Sequence, residues 1–262
     1  MVTIAIMGAA GRMGRTLIQV ISQDPQCRLG GALESSQCAL LGQDAGVVAG
    51  VGTQGVSLSS DPDDLSACDV FIDFSSVEAF EHHVEIASRF KKAYVVGTTG
   101  LREEHFKALD EASKVIPVLW APNFSVGVNL MVKLVQMAAE VLSSGFDVEI
   151  VEAHHRLKKD APSGTAVKLL EVLKEAYKTE DVIYGRSGIT GERPQGQIGV
   201  HAVRGGDIVG DHTVSFCGIG ERIEITHRAS SRETFARGAV RAAKFLAGKP
   251  AKRYTIEEVL GL

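Results

Sequence analysis

Cysteine, proline and tryptophan are scarce in this chain of 262 residues, at 4, 7 and 1. The four thiols, Cys27, Cys38, Cys68 and Cys217, are scattered with no Cys-x-x-Cys pair. That pattern fits reduced, structural cysteines and argues against a disulfide framework or a zinc ribbon. Neither His-Glu-x-x-His nor any cysteine cluster occurs, so no metal site is expected. Long apolar runs are missing as well: none approaches the roughly 18 residues that a membrane span needs. The opening Met-Val-Thr-Ile-Ala-Ile-Met-Gly has no basic leader ahead of its apolar residues, and a soluble cytoplasmic protein is expected. Positive charge is not in excess, with 28 Lys and Arg against 32 Asp and Glu, net -4, which removes any general attraction to nucleic acid or anionic membranes. Small molecules remain as the expected partners. There is no internal repeat and no low-complexity segment.

Hydrophobic residues make up 45% of the chain, enough for a large core, and the length suits two domains. Thr3 to Met7 reads as a short apolar strand running into Gly8-Ala9-Ala10-Gly11-Arg12-Met13-Gly14, after which Met13, Leu17, Val20 and Ile21 form the stripe of a helix ended by Asp24-Pro25. Strand, glycine-rich turn and helix make a dinucleotide-binding unit, in which backbone approaches a pyrophosphate resting on the helix N-terminus. The spacing is Gly-x-x-Gly-x-x-Gly, with Ala10 where the common fingerprint has its middle glycine. Leu29 to Leu33 reads as a second strand, ending at Glu34, where an acid can bond ribose hydroxyls.

Residues 35–64 are rich in Gly, Ser, Gln and Asp and read as loop with at most one short helix. Strands are expected at Asp69 to Phe74, Ala93 to Val96 and Val115 to Trp120, with helices at Val77 to Phe90 and Glu103 to Ser113 between them. His82 and His83 on the first of these helices face different ways, and nothing near them in sequence completes a site. The alternation indicates an α/β fold with a parallel, doubly wound Rossmann-type sheet. Loops at the carboxyl ends of its strands line the ligand crevice, making Gly97, Thr98 and Thr99, and Ala121, Pro122, Asn123 and Phe124, expected cofactor contacts.

The texture then changes. A long apolar helix, Val128 to Leu142, leads into the alternating strand Asp147-Val-Glu-Ile-Val-Glu-Ala-His154, so His154 and His155 should point to opposite sides. After the basic turn containing Lys158, Ser163 is a natural N-cap and a helix begins near Thr165, its Gly164 and Thr165 amides facing outward where an anion is stabilised. Residues 179–199 are polar and glycine-rich, and alternating strands follow between Gly199 and Ala229, as in a second α+β domain with a mixed or antiparallel sheet. A last helix spans Thr234 to Leu246. Expected boundaries are 1–124 for the dinucleotide-binding domain, 125–230 for a substrate-binding and oligomerisation domain, and 231–262 for a return to the first.

The segments Gly8-Ala-Ala-Gly-Arg-Met-Gly14, Gly97-Thr-Thr-Gly100, Ala121-Pro-Asn-Phe-Ser-Val-Gly-Val-Asn129, Glu152-Ala-His-His155, Asp160-Ala-Pro-Ser-Gly-Thr-Ala166, Thr190-Gly-Glu-Arg193, Gly206-Asp-Ile-Val-Gly210 and Ala229-Ser-Ser-Arg232 resemble the bacterial dihydrodipicolinate reductase family over nearly the whole length. The resemblance implies NAD(P)H-dependent reduction of 4-hydroxy-tetrahydrodipicolinate to tetrahydrodipicolinate, in diaminopimelate and lysine biosynthesis, by a homotetramer. It also implies that His154 is the acid-base residue and Lys158 the proton donor, that His155, Lys158, Gly164 and Thr165 hold the substrate carboxylates, and that Gly8, Ala9, Ala10, Gly11, Arg12, Met13, Glu34, Gly97 to Thr99 and Ala121 to Phe124 bind cofactor. Arg232 and Phe235 are further cofactor contacts by the same resemblance. Many relatives carry arginine where this chain has Ser35 and some where it has Ser76, so NADH is expected to be preferred, with NADPH possible. Two alternatives stay open: a non-enzymatic NAD-sensing module, which need not keep His154 and Lys158, and another Rossmann-type oxidoreductase.

Overall fold

The computed structural model describes residues 1–262 and divides into two units, Met1–Ser125 with Glu233–Leu262, and Val126–Arg232. In the first unit the order is β1 (Val2–Met7), α1 (Arg12–Gln23), β2 (Cys27–Leu33), α2 (Ala45–Ala49), β3 (Leu58–Ser59), β4 (Val70–Asp73), α3 (Val77–Phe90), β5 (Ala93–Val96), α4 (Glu103–Ala112) and β6 (Pro117–Trp120). The second unit holds α5 (Val126–Leu142), β7 (Asp147–His154), α6 (Gly164–Tyr177), β8 (Val182–Tyr184), β9 (Ile198–Arg204), β10 (Gly210–Cys217) and β11 (Arg222–Ala229). The chain then adds α7 (Glu233–Leu246), β12 (Lys252–Tyr254) and α8 (Ile256–Leu260) to the first unit.

The first sheet is wholly parallel, in the order β3-β2-β1-β4-β5-β6-β12. Its inner strands β1, β4 and β5 are apolar on both faces because both are covered. Ile4, Ile6, Ile72 and Val95 pack on one side with Leu17 and Ile21 of α1 and Ala239, Ala243 and Leu246 of α7. Their neighbours Ala5, Met7, Phe71 and Tyr94 pack on the other with Phe80 and Val84 of α3 and Leu109 of α4. The order reverses between β1 and β4, and a doubly wound sheet binds its ligand beyond the carboxyl ends of the strands at such a point.

In the second unit the sheet order is β11-β10-β7-β9-β8, with β10 antiparallel to both neighbours and β7, β9 and β8 mutually parallel. It is therefore mixed. Along β7, Val148, Ile150, Glu152 and His154 turn inward; Val148 and Ile150 pack with Met131, Val135 and Ala139 of α5 and Leu169 and Leu173 of α6. The opposite face carries Val151 and Val203, 40% and 48% exposed. Glu149 on that face is held by Arg186 (3.0 Å), Arg193 (3.1 Å) and His201 (2.7 Å). A Cβ on Gly199 would lie 1.7 Å from a Glu149 carboxylate oxygen, so only glycine leaves room for this clasp. Burial would raise the Glu149 pKa, but the hydrogen bonds from Arg186, His201 and Arg193 and the Arg186 charge outweigh that and bring it down to about 2.

Four elements depart from the sequence expectation. The stretch 35–64 contains α2 and also β3, whose two residues pair with Ala32 and Leu33. The polar stretch 179–199 contains β8, an edge strand beside β9. Both are too short for alternation to register and are set by tertiary pairing. Beyond Leu246 the chain supplies β12 and α8; Thr255 caps α8 reciprocally with Glu258, a Thr-x-x-Glu box legible in the sequence.

Candidate active site

The first unit contains a crevice of about 900 Å³ at the carboxyl end of its sheet. Gly8 turns the chain out of β1 with φ of 76°, and Gly11 caps α1 without a side-chain hydrogen bond, so first-turn amides remain for a ligand. A Cβ on Gly14 would come within 2.2 Å of the Gly8 carbonyl oxygen; the third glycine lets α1 lie against the turn. Glu34, at the end of β2, accepts the Ala10 amide at 2.8 Å and the Ser35 amide at 3.0 Å. The acid thus fixes the turn while lining the crevice. This cradle, an approach only glycines allow beside a carboxylate at the tip of β2, fits a dinucleotide.

Of the expected cofactor residues, Gly8, Ala10, Gly11 and Glu34 line this crevice, whereas Ala9 is fully buried, Met13 packs on the core and Arg12 is exposed on the first turn of α1. Gly97 abuts the Phe74 ring, and Thr98 is buried with its carbonyl accepting the Trp120 indole N–H at 3.0 Å, while Thr99 is exposed. Ala121 and Phe124 are buried, Phe124 lying 5.6 Å from the Phe74 ring; Pro122 is exposed, and Asn123 accepts the Ser125 amide at 2.8 Å. Arg232 is exposed and Phe235 half-buried. None of Gly97 to Thr99, Ala121 to Phe124, Arg232 or Phe235 lines the crevice.

His82 and His83 do face different ways, one exposed and one buried, and His83 joins a polar cluster that its sequence neighbours do not reveal. Asp73, fully buried at the end of β4, accepts from His83 Nδ1 at 2.9 Å, the Tyr94 hydroxyl at 2.5 Å and the Ser75 amide at 2.8 Å. Burial pushes its pKa up, yet these donors hold it below the usual carboxylate range. The Ser75 amide is local, but His83 comes from α3 and Tyr94 from β5, and no local pattern could join those to Asp73. The available signal was an acid ending an otherwise apolar strand, which cannot be buried without donors.

In the second unit the histidine strand delivers a denser arrangement. Glu152 has no exposed surface and sits between His154 Nδ1 (2.6 Å), a bidentate Arg204 (2.8 and 2.8 Å) and the Ser163 amide (3.1 Å). Burial opposes its charge; Arg204 and His154 overcome that, and its pKa is lowered. His154 is also lowered, by burial first, with Lys158 and Arg204 adding to it and Glu152 opposing. Arg204 further donates to the Asp160 carbonyl at 2.7 Å, and Lys158 Nζ lies 2.8 Å from the Asp160 carboxylate. Ser163 caps α6 by accepting the Ala166 amide at 3.3 Å and bonds His212 Nε2 at 2.9 Å. His212 stands edge-on to His154, ring centres 5.2 Å apart, and burial brings its pKa down to about 4.

His154 is buried and His155 half-buried. Gly164 and Thr165 open α6, with Gly164 exposed. The expected residues of this region thus fall on one strand end, one turn and one helix start. Arg204 and His212 are distant in sequence and no local pattern singles them out, nor does any give Glu152 a role. A buried carboxylate one strand-repeat before a histidine was the legible signal, since residues i and i+2 share a face.

A Rossmann-type unit with a glycine cradle, joined to an α+β unit bearing an acid-histidine-lysine cluster, defines an NAD(P)-dependent oxidoreductase. Residues 2–124 match the family model "Dihydrodipicolinate reductase, N-terminus" and residues 127–260 match "Dihydrodipicolinate reductase, C-terminus". The chain belongs to the dihydrodipicolinate reductase family. It is 51% identical to the 4-hydroxy-tetrahydrodipicolinate reductase of Syntrophotalea carbinolica over the full length of both chains. It is also 51% identical to that of Cupriavidus metallidurans, covering 99% of each. Among solved structures, dipicolinate-bound dihydrodipicolinate reductase from Paenisporosarcina sp. TG-14 superposes with a TM-score of 0.79 at 24% identity, covering 98% of each chain, a likeness of fold. No helix is long and apolar enough to cross a membrane.

Proposed function

We propose that the chain reduces 4-hydroxy-tetrahydrodipicolinate to tetrahydrodipicolinate in the diaminopimelate and lysine pathway, with His154 and Lys158 handling the proton. The observation that carries this reading is the buried Glu152-His154 pair, with Lys158 and the start of α6 following it in the chain. Replacing a hydroxyl by hydrogen takes one hydride and one proton and releases one water. Bound NADH or NADPH supplies the hydride. The chain supplies the rest: Glu152 holds the Nδ1 proton of His154, leaving Nε2 to exchange a proton with substrate, and the Lys158 ammonium offsets the negative charge that hydride addition builds. A dicarboxylate is held by His155, Lys158 and the Gly164 and Thr165 amides. The deciding assay is NADH oxidation on adding the product of dihydrodipicolinate synthase; no oxidation with folded protein defeats the reading.

The cofactor residues are those carried by the resemblance, with Gly8, Ala10, Gly11 and Glu34 best supported by the cradle. NADH is preferred. Ser35 and Ser76 line the crevice beside Glu34, and neither can pair a 2'-phosphate as arginine does, while Glu34 repels it. Calorimetric titration should give tighter NADH than NADPH binding; the reverse order refutes the preference.

The enzyme works in the cytoplasm as a homotetramer, built through the open face of the second sheet, where Val151 and Val203 lie exposed and β11 and β8 offer free edges. A monomeric mass by light scattering at micromolar concentration refutes that assembly.

A further inference from the structure

His83 is nine-tenths buried, yet its ring lines the crevice of the first unit. Both of its hydrogen bonds are made by one nitrogen: Nδ1 lies 2.9 Å from the Asp73 carboxylate and 3.1 Å from the Ser75 hydroxyl. Asp73 is anionic and can only accept, so Nδ1 carries the proton. In the neutral ring Nε2 then presents a lone pair. That atom has no partner within the protein and is not sealed from solvent. An unpaired acceptor on a nearly buried side chain costs stability unless a donor reaches it. Asp73 is itself fixed by Tyr94 and the Ser75 amide, so the ring has a rigid support and its direction is set before any ligand arrives.

We infer that His83 binds nucleotide: Nε2 accepts a hydrogen bond from an O–H or N–H donor of the adenosine half of the cofactor, in the orientation Asp73 imposes. This rests on the reading of the crevice as the cofactor site. Glu34 and His83 line the same crevice, both presenting acceptors, which suits ribose hydroxyls and the adenine amino group and disfavours a phosphate. The pair therefore adds to the discrimination against NADPH assigned to Ser35 and Ser76. His82, exposed on the same crevice wall, lacks a buried acid to fix its ring.

The test is calorimetric titration of NADH into wild type and His83→Phe, which keeps a ring and removes the acceptor. A loss of about 10-fold in affinity is expected, the scale of one hydrogen bond. With deamino-NADH, a loss that persists assigns the donor to a ribose hydroxyl; one that vanishes assigns it to the adenine amino group. His83→Phe melting like wild type and binding NADH equally well overturns the inference. Should that variant fold poorly, nitrogen NMR of 15N-histidine-labelled wild type decides: Nε2 of His83 should resonate as an unprotonated nitrogen and move when NADH binds, and an unmoved signal overturns the inference. Wild type that binds no NADH at all overturns the cofactor reading and this inference with it.

Discussion

Each unit buries one acid against one histidine, and the two pairs are balanced in opposite ways. Asp73 is surrounded by donors that carry no fixed charge, Tyr94 and the Ser75 amide, and its histidine stays beside an uncompensated carboxylate. Glu152 is neutralised by Arg204 through two hydrogen bonds, and His154 then has Lys158 and Arg204 in its neighbourhood, both of which oppose its protonation. The same two residue types therefore do different work. In the proposed mechanism Asp73 fixes a ring that stays put, whereas Glu152 steadies one that exchanges its proton. A dianionic substrate beside His154 would offset the cations that push its proton off, so proton affinity rises when substrate is bound.

The sharpest way to break this comparison is to strip the second pair. His154→Gln and Lys158→Ala should each lower the maximal rate by a factor on the order of 100 or more, with cofactor affinity little changed. Near-wild-type turnover in either variant would remove its assignment. Glu152→Gln removes the group that raises the His154 pKa, so the limb on which activity falls with rising pH should move to lower pH, and the rate should drop on the order of 100-fold. A pH-rate profile of kcat/KM checks the direction, and an unmoved limb would show that Glu152 does not tune His154.

Stability tests the first pair. In Asp73→Asn the amide nitrogen must face either the His83 and Tyr94 donors on one side or the Ser75 N–H on the other, donor against donor, and the loss should be about 2 kcal/mol, read as a lower Tm with the fold retained. A variant as stable as wild type would mean that the Asp73 network is not a structural support.

Glu149 extends the comparison to an acid held by two arginines and a histidine on the other face of the second sheet. Its folded pKa, about 2, lies below an ordinary glutamate, so its clasp contributes stability that is complete above pH ~4.5 and is lost as pH falls toward 2. Glu149→Gln should melt lower at neutral pH, and its Tm should fall less steeply than wild type between those limits. Parallel curves would refute the assignment. The smallest effect is expected at the crevice rim, where Ser35→Arg should tighten NADPH binding about 10-fold in calorimetry.

The parallel sheet was legible because its strands are short apolar runs separated by helices of clear period, and the glycine turn announced where the crevice lies. The histidine strand, its turn and the Ser163 cap were legible for the same reason, being contiguous. What stayed hidden was everything joined across the sequence: Arg204 reaching back to Glu152, His212 to Ser163, and His83 to Asp73. Each depends on which strands become neighbours, and local periodicity is silent on that. The two-residue β3 and the three-residue β8 and β12 were hidden by length, since alternation needs about four residues to register.

The place of β12 has a consequence during synthesis. Its partner, β6, ends at Trp120, but β12 itself begins only at Lys252, after the whole second unit and α7. At a ribosomal pace of about 5–20 residues per second, the outer edge of β6 is translated many seconds before the strand that covers it. The helix α7, which roofs one face of the same sheet, arrives equally late. The second unit, made from one uninterrupted stretch, can close first, leaving the nascent dinucleotide unit to wait with an open edge and an apolar face for a chaperone to shield. Limited proteolysis of stalled nascent chains should then cut within residues 1–125 readily before Lys252 has emerged and poorly once Leu262 has, and equal cutting at both lengths would rule this out.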